Sequence, residues 1–184
     1  MKKRIHIFGA SGSGATTLGK ELSLHLPHHI LDGDDYFWIK KFTHQREPQL
    51  RFQLLTNDLK LCEQWILTGA VCGWGDELKP LFDLVIFLSV PSDVRLQRLK
   101  EREYVRYGKE ILPNGNLYEQ SKAFLEWASL YDTGGLNVRS YALHEHWMSD
   151  LECPILRIEG NHTVKERIEI VLEYLKNCDN DGRI

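Results

Sequence analysis

The stretch that decides the fold is Ile5–Leu26, which reads IHIFGASGSGATTLGKELSLHL. Its first four residues suit a buried strand, and a loop rich in glycine and serine follows them. Apolar residues then recur at i, i+4 and i+8 and predict a helix over about residues 14–26, namely Leu18, Leu22 and Leu26. Pro27 ends this helix because proline cannot continue it. The stretch is therefore predicted to form a strand, a glycine loop and a helix.

The glycine loop has the spacing of a phosphate-binding loop. Gly9, Gly14 and Thr16 match the Walker A motif, G-x-x-x-x-G-K-[ST]. Backbone N–H groups of such a loop converge on an anion, and the following helix adds partial positive charge at its N-terminus. A glycine turn without a ligand is disfavoured, because glycines, hydroxyl residues and the strand–turn–helix context occur together. The predicted nucleotide-binding residues are Gly9, Ser11, Gly12, Ser13, Gly14, Ala15, Thr16 and Thr17.

The motif lacks its lysine. Ala15 occupies the position from which a lysine would reach the β- and γ-phosphates. A second register from Gly14 to Glu21 also contains G-x-x-x-x-G-K, but Glu21 cannot replace the hydroxyl, and Lys20 would lie more than one turn inside the helix. Losing one charge-assisted contact in such a site costs roughly 3 kcal/mol, about a hundredfold in rate. Another cation must therefore offset the loss.

Composition limits the class of protein. The 184 residues suit one domain with a sizeable core, and 42% hydrophobic with 27% charged residues is ordinary for a globular protein. The net charge of −3 argues against broad binding to nucleic acid. We therefore expect a small partner whose anionic groups are held by a local cluster of charge.

Cysteine usage and hydropathy suggest a location. The four cysteines have no C-x-x-C spacing and lie in apolar segments, which favours buried thiols in a reducing compartment; they are Cys62, Cys72, Cys153 and Cys178. The apolar run after the basic Met1–Arg4 is too short for a signal peptide, and no stretch approaches a membrane span. The sequence predicts a cytoplasmic protein that does not bind membranes.

The rest of the chain alternates strands and helices. Five strands are predicted, at residues 5–8, 29–31, 65–68, 84–90 and 154–158. Helices are predicted near residues 48–62, 92–104 and 140–149. Two more are predicted to begin at capping boxes, one formed by Asn116 and Glu119 and the other by Thr163 and Glu166. This alternation predicts an α/β fold with a five-stranded parallel sheet and helices on both faces, in which ligands bind at the carboxyl ends of the strands.

Several finer features are also predicted. Residues 107–116 should form a loop, and residues 177–184 should fray as a polar tail. The side chains expected to face inward from the helix at residues 48–62 are Leu50, Leu54, Leu55, Leu59 and Cys62. Trp127 and Tyr131 lie on an apolar stripe and are expected in the core. His144 and His146, at i and i+2, point to different faces of a helix, which disfavours a metal pair.

Two further segments follow predicted strands and carry charge. Residues 32–38, DGDDYFW, place acidic and aromatic residues after the second strand; the alternative is that Asp34 and Asp35 only cap a helix. Residues 92–104 place arginines at i, i+3 and i+7 on one face, namely Arg95, Arg98 and Arg102, with Arg106 just beyond. The alternative for these arginines is a solvated helix face. Trp74, among three glycines, is either packed or close to a ligand.

In this order, the loop, the acidic-aromatic segment, the strand before Gly69 and the arginine helix resemble the small P-loop kinases of the nucleoside monophosphate and shikimate kinase type. The resemblance covers nearly the whole chain. It implies a three-layer α/β/α P-loop NTPase fold with an acceptor-binding insertion at about residues 34–62 and a lid at about residues 102–137. The Arg102–Gly108 run, REYVRYG, is similar to one in a bacterial group of adenylate kinase-like proteins that lack the lysine.

The resemblance also implies roles for individual residues. Asp34–Trp38 is similar to the D-D-[FY] stretch of uridine and shikimate kinases, whose aspartate serves magnesium or the acceptor hydroxyl. Thr68 stands where adenylate kinases carry an aspartate, so Asp34 or Asp35 would take its role. The implied cofactors are ATP and Mg²⁺, with Thr16 and Asp34 as metal ligands. Arg102 and Arg106 would stabilise the transferring charge, with Arg95, Arg98 and Arg139 in reserve.

The resulting hypothesis is an ATP-dependent kinase acting on a nucleotide or another small metabolite, as a monomer or a homodimer. The alternative is a catalytically weak or inactive ATP- or GTP-binding regulatory protein. A nucleotide hydrolase ranks last, because an acceptor lobe would have no purpose in it.

Overall fold

The computed structural model describes the backbone of residues 2–181 and the side chains of residues 2–178. Its strands are β1 Arg4–Gly9, β2 His29–Asp32, β3 Trp38–Lys40, β4 His44–Gln45, β5 Trp65–Thr68, β6 Leu84–Ser89 and β7 Ile155–Glu159. Its α-helices are α1 Ala15–Leu22, α2 Gly33–Phe37, α3 Pro48–Lys60, α4 Ser92–Tyr107, α5 Tyr118–Ser129, α6 Tyr141–Met148 and α7 Val164–Asp181. Short 3-10 turns cover Asp76–Leu81, Gly108–Ile111 and Leu130–Asp132.

Five strands form one parallel sheet in the order β2-β5-β1-β6-β7, and β3 with β4 forms a separate antiparallel hairpin. The central strand is β1, in which Ile5 pairs with Ile66 of β5 on one side and with Leu84 of β6 on the other. Residues 5–9 of β1 are all buried, as expected of a strand covered on both faces. The predicted five-stranded parallel sheet is confirmed.

Alternation along β1 separates two hydrophobic cores. Ile5 and Ile7 point to the face covered by α1 and α7, where they pack with residues such as Leu18 and Val171. Phe8 points to the opposite face, among residues that include Trp147 of α6 and Leu55 of α3. The chain therefore has the predicted three layers, and the loop that follows β1 begins at the centre of the sheet.

Two helices differ from the expectation, α3 in which side chains are buried and α1 in where it ends. In α3, Leu55 and Leu59 are buried, but Leu50 and Leu54 are 43% and 37% exposed. Residues four apart share one face of a helix, and only that face of α3 meets the core. In α1, the helix ends at Leu22, and turns lead to Pro27. The predicted inward positions of Leu50 and Leu54 and the predicted end of α1 are wrong.

The capping boxes have different outcomes. Thr163 and Glu166 form theirs, since the Glu166 N–H donates to the Thr163 hydroxyl at 3.3 Å and the Thr163 N–H donates to the Glu166 carboxylate at 2.7 Å. Asn116 instead donates from its backbone and its side chain to the Glu110 carboxylate, at 3.2 and 2.9 Å, and α5 begins after Leu117. The box predicted at Asn116 is wrong because a nearby carboxylate takes its donors.

The ends of two helices also extend beyond the prediction. α4 continues to Tyr107, and a 3-10 turn at Gly108–Ile111 occupies part of the predicted loop. α7 continues to Asp181, so residues 177–181 are helical, and residues 182–184 of the predicted tail lie outside the described residues. Within the described residues, no helix is both long and apolar enough to cross a membrane.

Candidate functional site

The loop between β1 and α1 needs glycine at several positions. Gly12 and Gly14 have φ angles of +82° and +90°, in the region that favours glycine. A Cβ atom at Gly9 would lie 2.4 Å from the Leu88 carbonyl oxygen. No side chain caps the N-terminus of α1, whose N-cap residue is Gly14. The first N–H groups of this helix therefore remain free of a side-chain cap.

The loop opens into a cavity of about 690 Å³. The other walls of this cavity come from α2, the β3–β4 hairpin, α4 and α5. All the residues predicted to bind nucleotide line it, namely Gly9, Ser11, Gly12, Ser13, Gly14, Ala15, Thr16 and Thr17. The structure thus places the whole predicted loop at one cavity.

Four arginines line the same cavity, and one predicted reserve does not. The four are Arg98, Arg102, Arg106 and Arg139. Arg95 is fully buried elsewhere, where its Nε donates to the Val90 carbonyl at 2.9 Å and its Nη2 pairs with Asp132 at 2.5 Å. Arg95 therefore holds α4 to the segment after α5 and is not available to a ligand.

Arg102 and Arg106 make different contacts in the cavity. The Arg102 guanidinium lies 5.8 Å from the Phe124 ring centroid, and its buried Nε has no hydrogen-bond partner among the described residues. Burial and the neighbouring Arg106 lower the pKa of Arg102. Arg106 lies 4.4 Å from the Phe42 ring centroid and 3.6 Å from the Glu103 carboxylate. The cavity thus contains a half-buried guanidinium with an unused donor.

The acidic segment after β2 separates into distinct roles. Asp32 caps α2, since it accepts the Asp34 N–H at 3.2 Å, and burial raises the pKa of Asp32. Asp34 lines the cavity. Asp35 forms an ion pair with Lys41 at 2.6 Å and is not among the lining residues. The capping alternative therefore applies to Asp32, and Asp34 is the carboxylate brought to the loop.

Aromatic side chains cover the part of the cavity that faces the hairpin and α5. They are Phe37, Trp38, Phe42, Phe124 and Trp127. Trp127 is 37% exposed, so its predicted place in the core is wrong, whereas Tyr131 is buried as predicted. The difference arises because α5 ends at Ser129, so that Trp127 lines the cavity from the helix whereas Tyr131 lies in the 3-10 turn that follows it. Trp74 packs against the core and donates to the Ala70 carbonyl at 3.3 Å.

Sequence reasoning missed one residue that contacts the loop. Arg167 of α7 donates from Nη1 to the Ser13 carbonyl at 2.6 Å and is 3% exposed. A signal was present, because Arg167 lies three residues after Val164 and four before Val171, on the apolar stripe of α7. A charged residue within such a stripe indicates a buried polar contact.

The histidines and cysteines take no part in this cavity. His144 is buried with its Nδ1 2.8 Å from the Tyr131 hydroxyl, whereas His146 is exposed. In the part of the chain that the structure describes, no three metal-binding side chains of His, Cys, Asp or Glu cluster together. All four cysteines are free.

A glycine loop after the central strand, with arginines from a following helix facing it, defines a P-loop kinase fold. Solved structures show the same fold. Shikimate kinase from Acinetobacter baumannii in complex with shikimate has a TM-score of 0.55 at 19% identity, covering 95% of this chain and 93% of that one. A gluconokinase from Sinorhizobium meliloti has a TM-score of 0.56 at 14% identity, covering 97% and 94%. Deoxyadenosine kinase from M. mycoides has 0.52 at 19%, covering 95% and 99%.

The chain belongs to the AAA domain family, which residues 5–123 match. It is also 60% identical over 177 residues to the uncharacterized protein YqaC of Bacillus subtilis (strain 168), covering 96% of this chain and 99% of that protein. The resemblance to P-loop kinases expected from the sequence is thus confirmed at the level of fold.

Proposed function

We propose that the protein is a kinase that transfers the γ-phosphoryl group of ATP, with Mg²⁺, to a nucleotide or another small metabolite. The observation that carries this proposal is the charge of the cavity beside the glycine loop. Four arginines but only two carboxylates, Asp34 and Glu103, line it. Such a surplus of guanidinium groups in a site partly removed from water favours a polyphosphate.

The residues present fit magnesium. Thr16, in the first turn of α1, offers a hydroxyl, and Asp34 offers a carboxylate; both line the cavity. Mg²⁺ prefers oxygen ligands and needs few from the protein, because waters and phosphate oxygens complete its shell. When bound, the metal would neutralise charge on the phosphate oxygens.

We assign a separate role in phosphoryl transfer to each group of the chain. The backbone amides of residues 11–17 bind the β-phosphate, and Arg102 and Arg106 stabilise charge on the transferring group. Asp34 orients the acceptor hydroxyl. We keep residues 34–62 as the acceptor-binding insertion and residues 102–137 as the lid, since both contribute side chains to the cavity. Asp35 is not included in this assignment because Lys41 neutralises it.

The aromatic wall supports a planar acceptor such as a nucleotide, as in adenylate kinase-like enzymes. The ring planes of Phe124 and Trp127 are inclined by 28°, with centroids 6.0 Å apart, and the Arg139 guanidinium lies 5.7 Å from the Trp127 ring centroid. Rings and guanidinium planes bind bases by stacking, which alicyclic substrates cannot exploit as fully. Free cysteines support a site of action in the cytoplasm, where thiols stay reduced.

A second candidate function is nucleotide binding with little or no catalysis, used as a regulatory switch. Ala15 favours it, because the cation that usually reaches the γ-phosphate is missing. In that case lid closure over ATP or GTP would be read by a partner, and Arg102 would contribute to binding alone.

The test compares wild type, Arg102→Met and the control Lys100→Met. Lys100 is exposed on the same helix and does not line the cavity. ATP binding is measured by calorimetry, and phosphoryl transfer from ATP with Mg²⁺ is followed by phosphorus NMR against a panel of nucleoside monophosphates, nucleosides and sugars. The kinase proposal predicts transfer to a panel member, with turnover about a hundredfold lower in Arg102→Met, retained ATP binding and an unchanged control.

Other outcomes separate the candidates. Binding of ATP without transfer to any acceptor would favour the regulatory function. A wild-type protein that binds neither ATP nor GTP would overturn both.

A further inference from the structure

Two guanidinium groups contact carbonyl oxygens of the glycine loop. Arg167 donates to the Ser13 carbonyl at 2.6 Å, and Arg98 lies 3.4 Å from the Gly12 carbonyl while donating to Asn161 at 2.8 Å. The first comes from α7 and the second from α4, so the end of the chain and its middle meet at the loop. A Cβ atom at Gly14 would lie 3.1 Å from Arg167 Nη1, so the guanidinium sits directly against the loop.

Neither charge is neutralised within the described residues. No described carboxylate lies within ion-pair distance of Arg167 or Arg98, and the buried Nε of Arg167 has no hydrogen-bond partner there. Burial and the neighbouring Arg98 lower the pKa of Arg167. Two like charges held close together without a carboxylate are unfavourable in the free protein, and an anion bound at the loop would relieve that repulsion.

We propose that Arg167, assisted by Arg98, supplies the positive charge that the loop lacks at Ala15. The inference rests on the proposed nucleotide site and assigns a positioning role to Arg167, which does not line the cavity, and a supporting one to Arg98, which does. Each guanidinium binds a carbonyl of the loop, which fixes the peptide so that the loop keeps its shape for an anion. The Arg167 charge attracts a polyphosphate across the loop, whereas a lysine at position 15 would contact it directly.

The ligand class follows from this position. The Arg167 guanidinium contacts the loop at Ser13, in the part that would bind the β-phosphate. Its charge should therefore strongly increase the affinity for diphosphates, triphosphates and inorganic triphosphate. Its effect on affinity should be weak for a nucleoside monophosphate or a nucleoside, which place little charge at the β-phosphate position. A merely structural arginine would affect all these ligands alike, through the shape of the cavity.

The experiment measures binding of ADP, inorganic triphosphate and AMP by calorimetry. The variants are Arg167→Met, which keeps the apolar stem, Arg167→Lys, which keeps the charge, and Arg167→Met combined with Ala15→Lys. Lys165→Met is the matched control, since it removes a positive charge that is exposed on the same helix. Melting temperatures without ligand report on folding.

The expected result is a loss of ADP and triphosphate affinity of about tenfold to hundredfold in Arg167→Met, with AMP affected less than about threefold. Arg167→Lys should recover most of this loss, and Ala15→Lys should restore polyphosphate binding to Arg167→Met. The control should bind as wild type does.

Three results would overturn the inference: ADP affinity unchanged in a folded Arg167→Met, equal losses for ADP and AMP, or no rescue by Ala15→Lys. If Arg167→Met does not fold, Arg98→Gln carries the test, and unchanged ADP affinity in that variant overturns the inference. A wild-type protein that binds no polyphosphate would instead refute the proposed function, which keeps the two failures distinct.

Discussion

Acidification should destabilise this protein through two histidines buried in the core. The His6 ring is stacked between Phe8 and Phe82, with centroids 5.0 and 4.8 Å away, and its Nδ1 lies 3.0 Å from the Leu67 carbonyl. Burial lowers the pKa of His6 to about 4, although the contact with Leu67 opposes the shift. Burial lowers the pKa of His144 to about 3, and the positive charge of Arg139 contributes a smaller part of this shift.

The size of the loss in unfolding free energy follows from these two pKa values. Both folded-state pKa values lie below the ordinary histidine value of 6.5, so the unfolded chain takes up protons first as the pH falls. The stability is complete above pH 6.5 and is lost progressively toward the folded-state pKa values, at about 1.4 kcal/mol per pH unit for each histidine. Between pH 7 and pH 5 the two histidines together should cost about 4 kcal/mol, a large part of the roughly 5–15 kcal/mol of a typical domain.

Urea unfolding at pH 7 and pH 5 tests this expectation. His6→Asn keeps a donor for the Leu67 carbonyl but does not titrate, so the loss of unfolding free energy between the two pH values should shrink by about 2 kcal/mol relative to wild type. His25→Asn, which removes an exposed imidazole, is the control and should behave as wild type does. The reasoning is refuted if His6→Asn and wild type lose the same free energy over this interval.

Three further predictions concern the loop and its surroundings. Gly12→Ala should destabilise the protein by more than about 2 kcal/mol and weaken ADP binding measured by calorimetry, because its Cβ atom would lie 2.7 Å from the Arg95 carbonyl at a φ of +82°. Gly73→Ala, at a φ of +78° with no neighbour within 4 Å, should cost only about 1 kcal/mol in urea unfolding and leave ADP binding intact; similar effects of both variants would contradict this. Asp132→Asn should lower the unfolding free energy by about 1–2 kcal/mol, because it leaves the buried Arg95 charge unpaired, and no loss would show that solvent screens this pair. Trp127→Leu should leave the melting temperature nearly unchanged but weaken nucleoside monophosphate binding about tenfold if the aromatic wall holds the acceptor, and equal binding would remove that wall from the acceptor site.

The sheet and the loop could be predicted because both depend on local sequence. Continuous apolar runs such as residues 84–88 are typical of strands buried on both faces, and the spacing of Gly9 and Gly14 fixes a turn that few other residues can make. The strand ends then bring the acidic segment and the arginine helix to one edge, as the rule for open α/β sheets requires. From that rule we expected Asp34 and Arg102 near the glycine loop, and both line the cavity beside it.

The environment of individual side chains was harder to predict, because it depends on which neighbour packs where. Arg95 and Arg102 share one helix and one pattern, yet Arg95 pairs with Asp132 and Arg102 faces the cavity. Trp127 looked like a core residue because an apolar stripe does not reveal whether a protein surface or a cavity lies opposite it. Arg167 contacts Ser13 across 154 positions, and no local pattern encodes a contact of that length.

This long contact also has a consequence for biosynthesis. The glycine loop leaves the ribosome 154 positions before its guanidinium partner on α7 emerges. Until then, β6 lacks its neighbour β7, and the Ser13 carbonyl lacks its donor. A nascent chain should therefore complete this side of the glycine loop only after α7 has left the ribosome.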